Sequence, residues 1–196
     1  MNVFDPLIAH VQSRVTLTED ELVTFTSAFT PRKIKKKQAI VQPGFTPRHR
    51  NYVAEGALRG YVISEEGEEH TIQLAVEDWW ITDYNGYIYQ QPATMFVAAL
   101  EDSTVLQIDF DAEQKLKAAG HRFETFFRIT AERGAAFQQR RIIARLTQTA
   151  EERYNDFVDR YPLLAQRVPQ YALASYLGMT TEFLSRIRNK KGKKKT

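Results

Sequence analysis

The stretch QYALASYLGMTTEFLSRIRNK, residues 170–190, holds two short apolar-periodic runs on either side of one glycine. Tyr171, Ala174, Ser175 and Leu177, then Phe183, Leu184 and Ile187, recur at helical spacing, which predicts two packed helices joined by a tight turn. Gly178 stands where the first helix must end in a left-handed residue, and Thr180 where the second needs a side-chain oxygen for its free amides. Ala174 is small where the two helices cross. The second run leaves Thr181, Glu182, Ser185, Arg186 and Arg188 off its apolar side. These residue types suit base edges: arginine takes guanine through two acceptors, glutamate accepts from cytosine, and serine or threonine serves either. The stretch reads as a helix-turn-helix with its recognition helix at about 181–189, and with Gln170, Thr180 and Lys190 placed for backbone phosphates. A helical hairpin that touches no nucleic acid is the alternative. It leaves the coincidence of Ala174, Gly178, Thr180 and the Ser185-Arg186 pair unexplained.

The wider run AEERYNDFVDRYPLLAQRVPQYALASYLGMTTEFLSRIRNK, residues 150–190, resembles the C-terminal part of catabolite-activator and fumarate-nitrate-regulator (Crp/Fnr) type transcription factors. It is most similar to a compact form in which LASYLGMT, then Glu182, then LSRIR is followed by few further residues and no β-hairpin wing. The resemblance implies an α+β chain: N-terminal helices, an antiparallel β jelly roll like a cyclic-nucleotide-binding domain, a long dimerisation helix and a C-terminal helix-turn-helix. Domain bounds of 1–120, 121–148 and 149–196 follow. Implied partners are double-stranded DNA, a second copy, a small-molecule effector and RNA polymerase, with no membrane and a cytoplasmic location.

Composition agrees with two unequal domains: 196 residues, 43% of them hydrophobic, suffice for one large core and one small one. The absence of cysteine excludes disulfides, thiolate metal sites and a cysteine-ligated iron-sulfur sensor. No run approaches the roughly eighteen apolar residues of a membrane span. Net charge is only +3, but from Thr149 onward ten Lys or Arg face five Asp or Glu, against seventeen and nineteen before it. The basic excess therefore sits at the nucleic-acid end, including the tail KKGKKKT.

Val3, Leu7, Ile8 and Val11 predict a first packing helix, and Thr18 with Glu21 a capping box for a second. From Phe29 to about Phe110, eight short runs with Gly, Pro or charged punctuation predict strands: TPRKIKKK, AIVQPG, NYVAEG, ALRGYVIS, HTIQLAV, WWI, TMFVAAL and TVLQIDF. Glu65, Glu66 and Gly67 form a hairpin turn, and residues 53–60 resemble the family's strand, glycine turn, strand signature. Arg32, Lys33, Lys35, Lys36 and Lys37 read as the charged protection of an edge strand rather than a nucleic-acid patch. A short helix is expected at 111–119 and a long one at 121–147. On the long helix Phe123, Phe126, Phe127, Thr130, Gly134, Phe137 and Arg141 step by three or four, a stripe that suits a two-fold dimer seam, with an intrachain core as the alternative. Thr149 begins a further helix that Pro162 stops.

Cyclic-nucleotide members of the family hold the ligand with a Gly-Glu pair and an Arg some ten residues on. The matching segment here is EDWWITD, residues 77–83, and the Arg position, just before Thr94, is Ala93. A phosphodiester would lose its hydration with no counter-charge, so no response to cyclic AMP is expected. Arg59, Trp79, Trp80, Tyr84, Tyr87, Phe96 and Phe127 could instead surround an apolar or aromatic effector, or simply fill the roll. Two other readings stand beside the regulator: a ligand-binding roll or scaffold with weak or lost DNA binding, and a metal-dependent enzyme of similar fold. The second needs paired histidines, and His10, His49, His70 and His121 share no ligand spacing. No enzymatic activity, metal or cofactor is expected.

Overall fold

The computed structural model describes residues 2–192. Two helices, α1 (Asp5–Gln12) and α2 (Glu19–Ser27), precede eight strands: β1 (Phe29–Ile34), β2 (Ala39–Val41), β3 (His49–Glu55), β4 (Leu58–Ile63), β5 (Glu69–Ala75), β6 (Trp80–Ile81), β7 (Phe96–Ala99) and β8 (Ser103–Asp109). A short helix α3 (Tyr84–Tyr89) lies between β6 and β7. Then follow α4 (Phe110–Ala119), α5 (His121–Thr147), α6 (Ala150–Arg160), α7 (Pro162–Arg167), α8 (Gln170–Leu177) and α9 (Thr181–Gly192). All eight expected strands are present. α3 and α7 were not expected. Pro162 does not merely stop α6; it opens α7 at the first helical position, where a missing N–H costs nothing.

The strands form two antiparallel four-stranded sheets, ordered β1-β8-β3-β6 and β2-β7-β4-β5. Their facing sides close over Ile34, Val53, Leu58, Ile81, Val97 and Val105, the roll's own core. Gly56 has φ +101° and lies against Ser103, so a β-carbon there meets both a strained backbone and a filled space. β1 is an edge strand whose middle four residues are exposed, and Lys35 pairs with Asp102 beside it, as edge protection requires.

A second core joins the N-terminal helices to the start of α5. Leu7, Val11, Phe25, Phe29, Trp80, Phe123, Phe126 and Phe127 are buried together there. The expected seam residues Phe123, Phe126 and Phe127 thus face the inside of their own chain, at 4%, 0% and 2% exposure. Their spacing is equally what packing against α1 and α2 demands. Phe137 stacks edge-on against Trp79 at 5.5 Å, and Arg141 lies 4.0 Å from the Tyr176 ring, so these too are intrachain contacts.

A third core gathers Tyr154, Phe157, Leu164, Val168, Leu173, Leu177, Leu184 and Ile187 from α6 to α9, with Leu74 of β5 reaching into it. This unit sits on the roll. The Ser175 hydroxyl donates to the Glu69 carbonyl at 3.0 Å and accepts from the Thr71 amide at 2.8 Å, so α8 satisfies the free edge of β5. Arg167 adds ion pairs to Glu77 and Glu101.

Candidate nucleic-acid interface and ligand cavity

The turn between α8 and α9 follows from its residues. Gly178 has φ +69° and ψ +46°, and the amides of Gly178 and Met179 bond back to Ser175 and Ala174, closing the end of α8. The Thr180 hydroxyl accepts from the Phe183 amide at 3.2 Å and starts α9. Leu184 and Ile187, 0% and 4% exposed, anchor α9, each burial contributing about 1.5–3 kcal/mol. That anchoring sets which face is left outside. Glu182, Arg186, Asn189 and Lys190 are exposed, and Thr181 and Ser185 are half-buried beside them.

Two expected contacts are turned inward. Arg188 donates from Nε to the Tyr154 hydroxyl at 3.3 Å and from a terminal nitrogen to the Ala165 carbonyl at 3.1 Å, so it ties α9 to α6 and α7 rather than facing out. Gln170 donates to the Thr181 carbonyl at 3.2 Å and braces α8 against α9. Lys190 stays exposed, 3.6 Å from Glu151. Arg186 lies over the Phe183 ring at 5.2 Å and has no ion pair among the described residues. Lys193 to Thr196 of the basic tail lie outside the described residues.

Between the roll and α5 is a cavity of about 680 Å³. Of the seven residues expected to surround an effector, Trp79, Trp80 and Tyr84 line it. The other four do not. Arg59 is buried, bonded to Thr71 and Glu69 near α8; Tyr87 is buried, donating to Glu113; Phe96 stacks on Tyr61; Phe127 belongs to the core described above. The lining also holds His10 and Arg14 from the first helix and its end, Arg50 from β3, and Arg133 from α5. Sequence spacing could not have joined these, because their contacts are between distant segments. His10 accepts from Trp80 Nε1 at 3.0 Å, and its pKa is lowered to about 4 by burial, then by Arg14, against an opposing pull from Asp78 and with a smaller lowering by Arg133.

No family model matches the sequence. The chain is 26% identical over 186 residues to the regulatory protein HlyX of Actinobacillus pleuropneumoniae, an alignment covering 88% of this chain and 76% of that one. FixK2 from Bradyrhizobium japonicum shares the fold with a TM-score of 0.74 at 15% identity, over 85% of each chain. The catabolite activator protein of Thermus thermophilus does so at 0.55 and 18%, over 94% of this chain and 87% of that one. Here a roll, a long helix and a terminal helix-turn-helix follow one another along the chain. The chain resembles Crp/Fnr-type regulators in sequence over most of its length and shares their fold.

Between β6 and β7 the chain's own carboxylate occupies three backbone amides. Asp83 begins α3, and its carboxylate accepts from the amides of Gly86, Thr94 and Met95 at 3.0, 2.6 and 3.1 Å. Burial opposes the charge on Asp83, but those amides and the Thr94 hydroxyl hold its pKa below the usual carboxylate value. Among the described residues, no group of three or more histidine, aspartate or glutamate side chains is arranged to hold a metal ion, and no helix is long and apolar enough to cross a membrane.

Proposed function

We propose that two copies of this chain bind one DNA duplex, each placing α9 in the major groove, with Thr181, Glu182, Ser185 and Arg186 at base edges and Lys190 and the amides following Thr180 at phosphates. The observation that carries this reading is the exposed outer face of α9, held in place by an inner face that is fully buried. Paired half-sites require recognition helices about 34 Å apart, one turn of duplex, which a two-fold axis along a long helix provides.

The seam runs along the face of α5 that the chain's own core leaves free. A helix turns by about 100° per residue, so Ala131, Ala135, Ile142 and Leu146 share one side, well away from Phe126 and Phe137. Ile142 and Leu146 are 60% and 81% exposed, an arrangement that suits a partner helix. The sensor cavity, whose lining includes Ala131 and Ala135, takes a small effector other than a cyclic nucleotide. Trp79, Trp80 and Tyr84 offer it rings, and Arg14 and Arg133 favour an acidic group. A bound duplex can then be presented to RNA polymerase in the cytoplasm, with the protein acting as a regulator and not as an enzyme.

Selection of bound duplexes from a random pool tests the reading. A two-fold-symmetric site with half-sites about ten base pairs apart is expected. Recovery of unrelated sequences, with no enrichment, overturns it. On the selected site Arg186→Ala should weaken binding by about 1–3 kcal/mol and relax the preference at one base pair.

A further inference from the structure

Apart from the sensor cavity, a smaller pocket of about 200 Å³ lies where α5, α6 and the end of α8 meet. It has about the room of six or seven waters. Its walls carry Arg140, Arg141, Arg145, Arg153 and Arg160 against one carboxylate, Asp156, and its apolar side is made by Phe157, Tyr161, Tyr176 and Leu177. Two of the arginines are committed to the fold. Arg141 donates to the Ile72 carbonyl and packs on Tyr176, while Arg153 donates to the carbonyls of Leu177 and Gly178 and so completes the end of α8.

The other three are not committed. Arg140, Arg145 and Arg160 are exposed and have no ion pair among the described residues. Arg145 adds positive charge beside a committed neighbour: the pKa of Arg153 is lowered by burial and then by Arg145. On the opposite wall Gln148 donates to Asp156 at 2.8 Å, and its Oε1 is buried with no donor. Three exposed guanidiniums with no ion pair among the described residues thus share a pocket with aromatic side chains, an arrangement that offers strong donors to an anion carrying an apolar group.

We propose that this pocket binds a small organic phosphate, its phosphoryl group among Arg140, Arg145 and Arg160 and its ring or carbon portion against Phe157 and Tyr161. Phosphate suits the site better than carboxylate because a dianion with three oxygens can engage several guanidinium forks at once. A backbone phosphate of DNA has no apolar group to fill the aromatic side. Arg140 and Arg145 come from α5 and Arg160 from α6, so the ligand clamps the long helix to the helix-turn-helix unit across Gln148. Binding does not depend on the DNA reading above; only the effect of the clamp on duplex affinity does.

Isothermal titration of the full chain with phenyl phosphate and with inorganic phosphate, near 0.15 M salt, tests the proposal. Phenyl phosphate should bind at least tenfold tighter than inorganic phosphate. R145Q/R160Q, and separately R140Q, should weaken it at least tenfold and fivefold, while the distant R32Q/K33Q leaves it unchanged. These side chains are exposed and form no ion pair among the described residues, so melting temperatures should match the parent. Equal affinity for the two phosphates, or unchanged binding in both pocket variants, overturns the proposal. So does the absence of phenyl phosphate binding alongside a loss, in R145Q/R160Q alone, of affinity for a random 30-base-pair duplex, which makes the arginines a DNA backbone patch.

Discussion

The two halves of α5 are one continuous helix with opposite fates. In the first, Phe123, Phe126 and Phe127 are sealed into the core that α1, α2 and the roll share; in the second, Ile142, Ile143 and Leu146 stand 60%, 52% and 81% exposed. The difference teaches that an apolar stripe reports only that something covers it. For the first half the cover is the same chain. For the second it is either a second copy, along Ile142 and Leu146, or the small pocket between α5, α6 and the end of α8, which Ile143 lines.

The contrast is breakable, most severely in the first half. Phe126→Ala should cost about 3–5 kcal/mol of unfolding free energy in urea, without changing the oligomeric state of the folded fraction. A loss below about 1 kcal/mol would place Phe126 outside the core. The same half carries a pH dependence, because Phe126 packs edge-on to His10 at 6.0 Å. His10 titrates at about 4 in the folded chain and near 6.5 unfolded, so the unfolded chain takes the proton first as pH falls. Stability should decline by about 3 kcal/mol from pH 7 to pH 4 on this account and level off below, and His10→Gln should flatten that slope in urea titrations.

The second half should respond differently. Ile142→Asp with Leu146→Asp should weaken self-association at least thirtyfold, about 2 kcal/mol, by light scattering over a concentration series, while urea melts of the monomer stay put. Unchanged association would move the seam elsewhere. The smallest effect is expected at Gly134, where an added β-carbon meets nothing within 4 Å. Gly134→Ala should raise stability by about 1 kcal/mol through helix propensity and leave dimerisation alone. A dimer lost there would return the seam to the stripe of Phe127, Thr130 and Gly134.

Much of the fold was legible because its signals are local. Turn residues and alternation delimit all eight strands, and the capping boxes at Thr18 and Thr149, with both reciprocal bonds formed, start α2 and α6. The start of α9 at Thr180 and the left-handed Gly178 are likewise set by neighbouring residues. α3 was missed because its first-turn cap, Asp83, lies in an aromatic segment without helical periodicity. α7 was missed because Pro162 serves equally well to end one helix and to begin the next.

The candidate site was half legible. Glu182, Ser185 and Arg186 stand where spacing put them, whereas Arg188, two residues further round the helix, turns inward to the Ala165 carbonyl. The cavity showed least in advance, since His10, Arg14, Arg50 and Arg133 come from four places in the chain. Residue types and their periods determined which elements form, where they turn and which side chains share a face. Only the tertiary structure decided which neighbour each face meets: that Asp83 accepts from the amides of Gly86, Thr94 and Met95, that Ser175 closes the edge of β5, and that the aromatic half of α5 goes inside. The physical reason is that periodicity is a property of one segment, while burial depends on the shape and charge of the segment opposite, and the two faces of α5 are apolar enough for either to have been chosen.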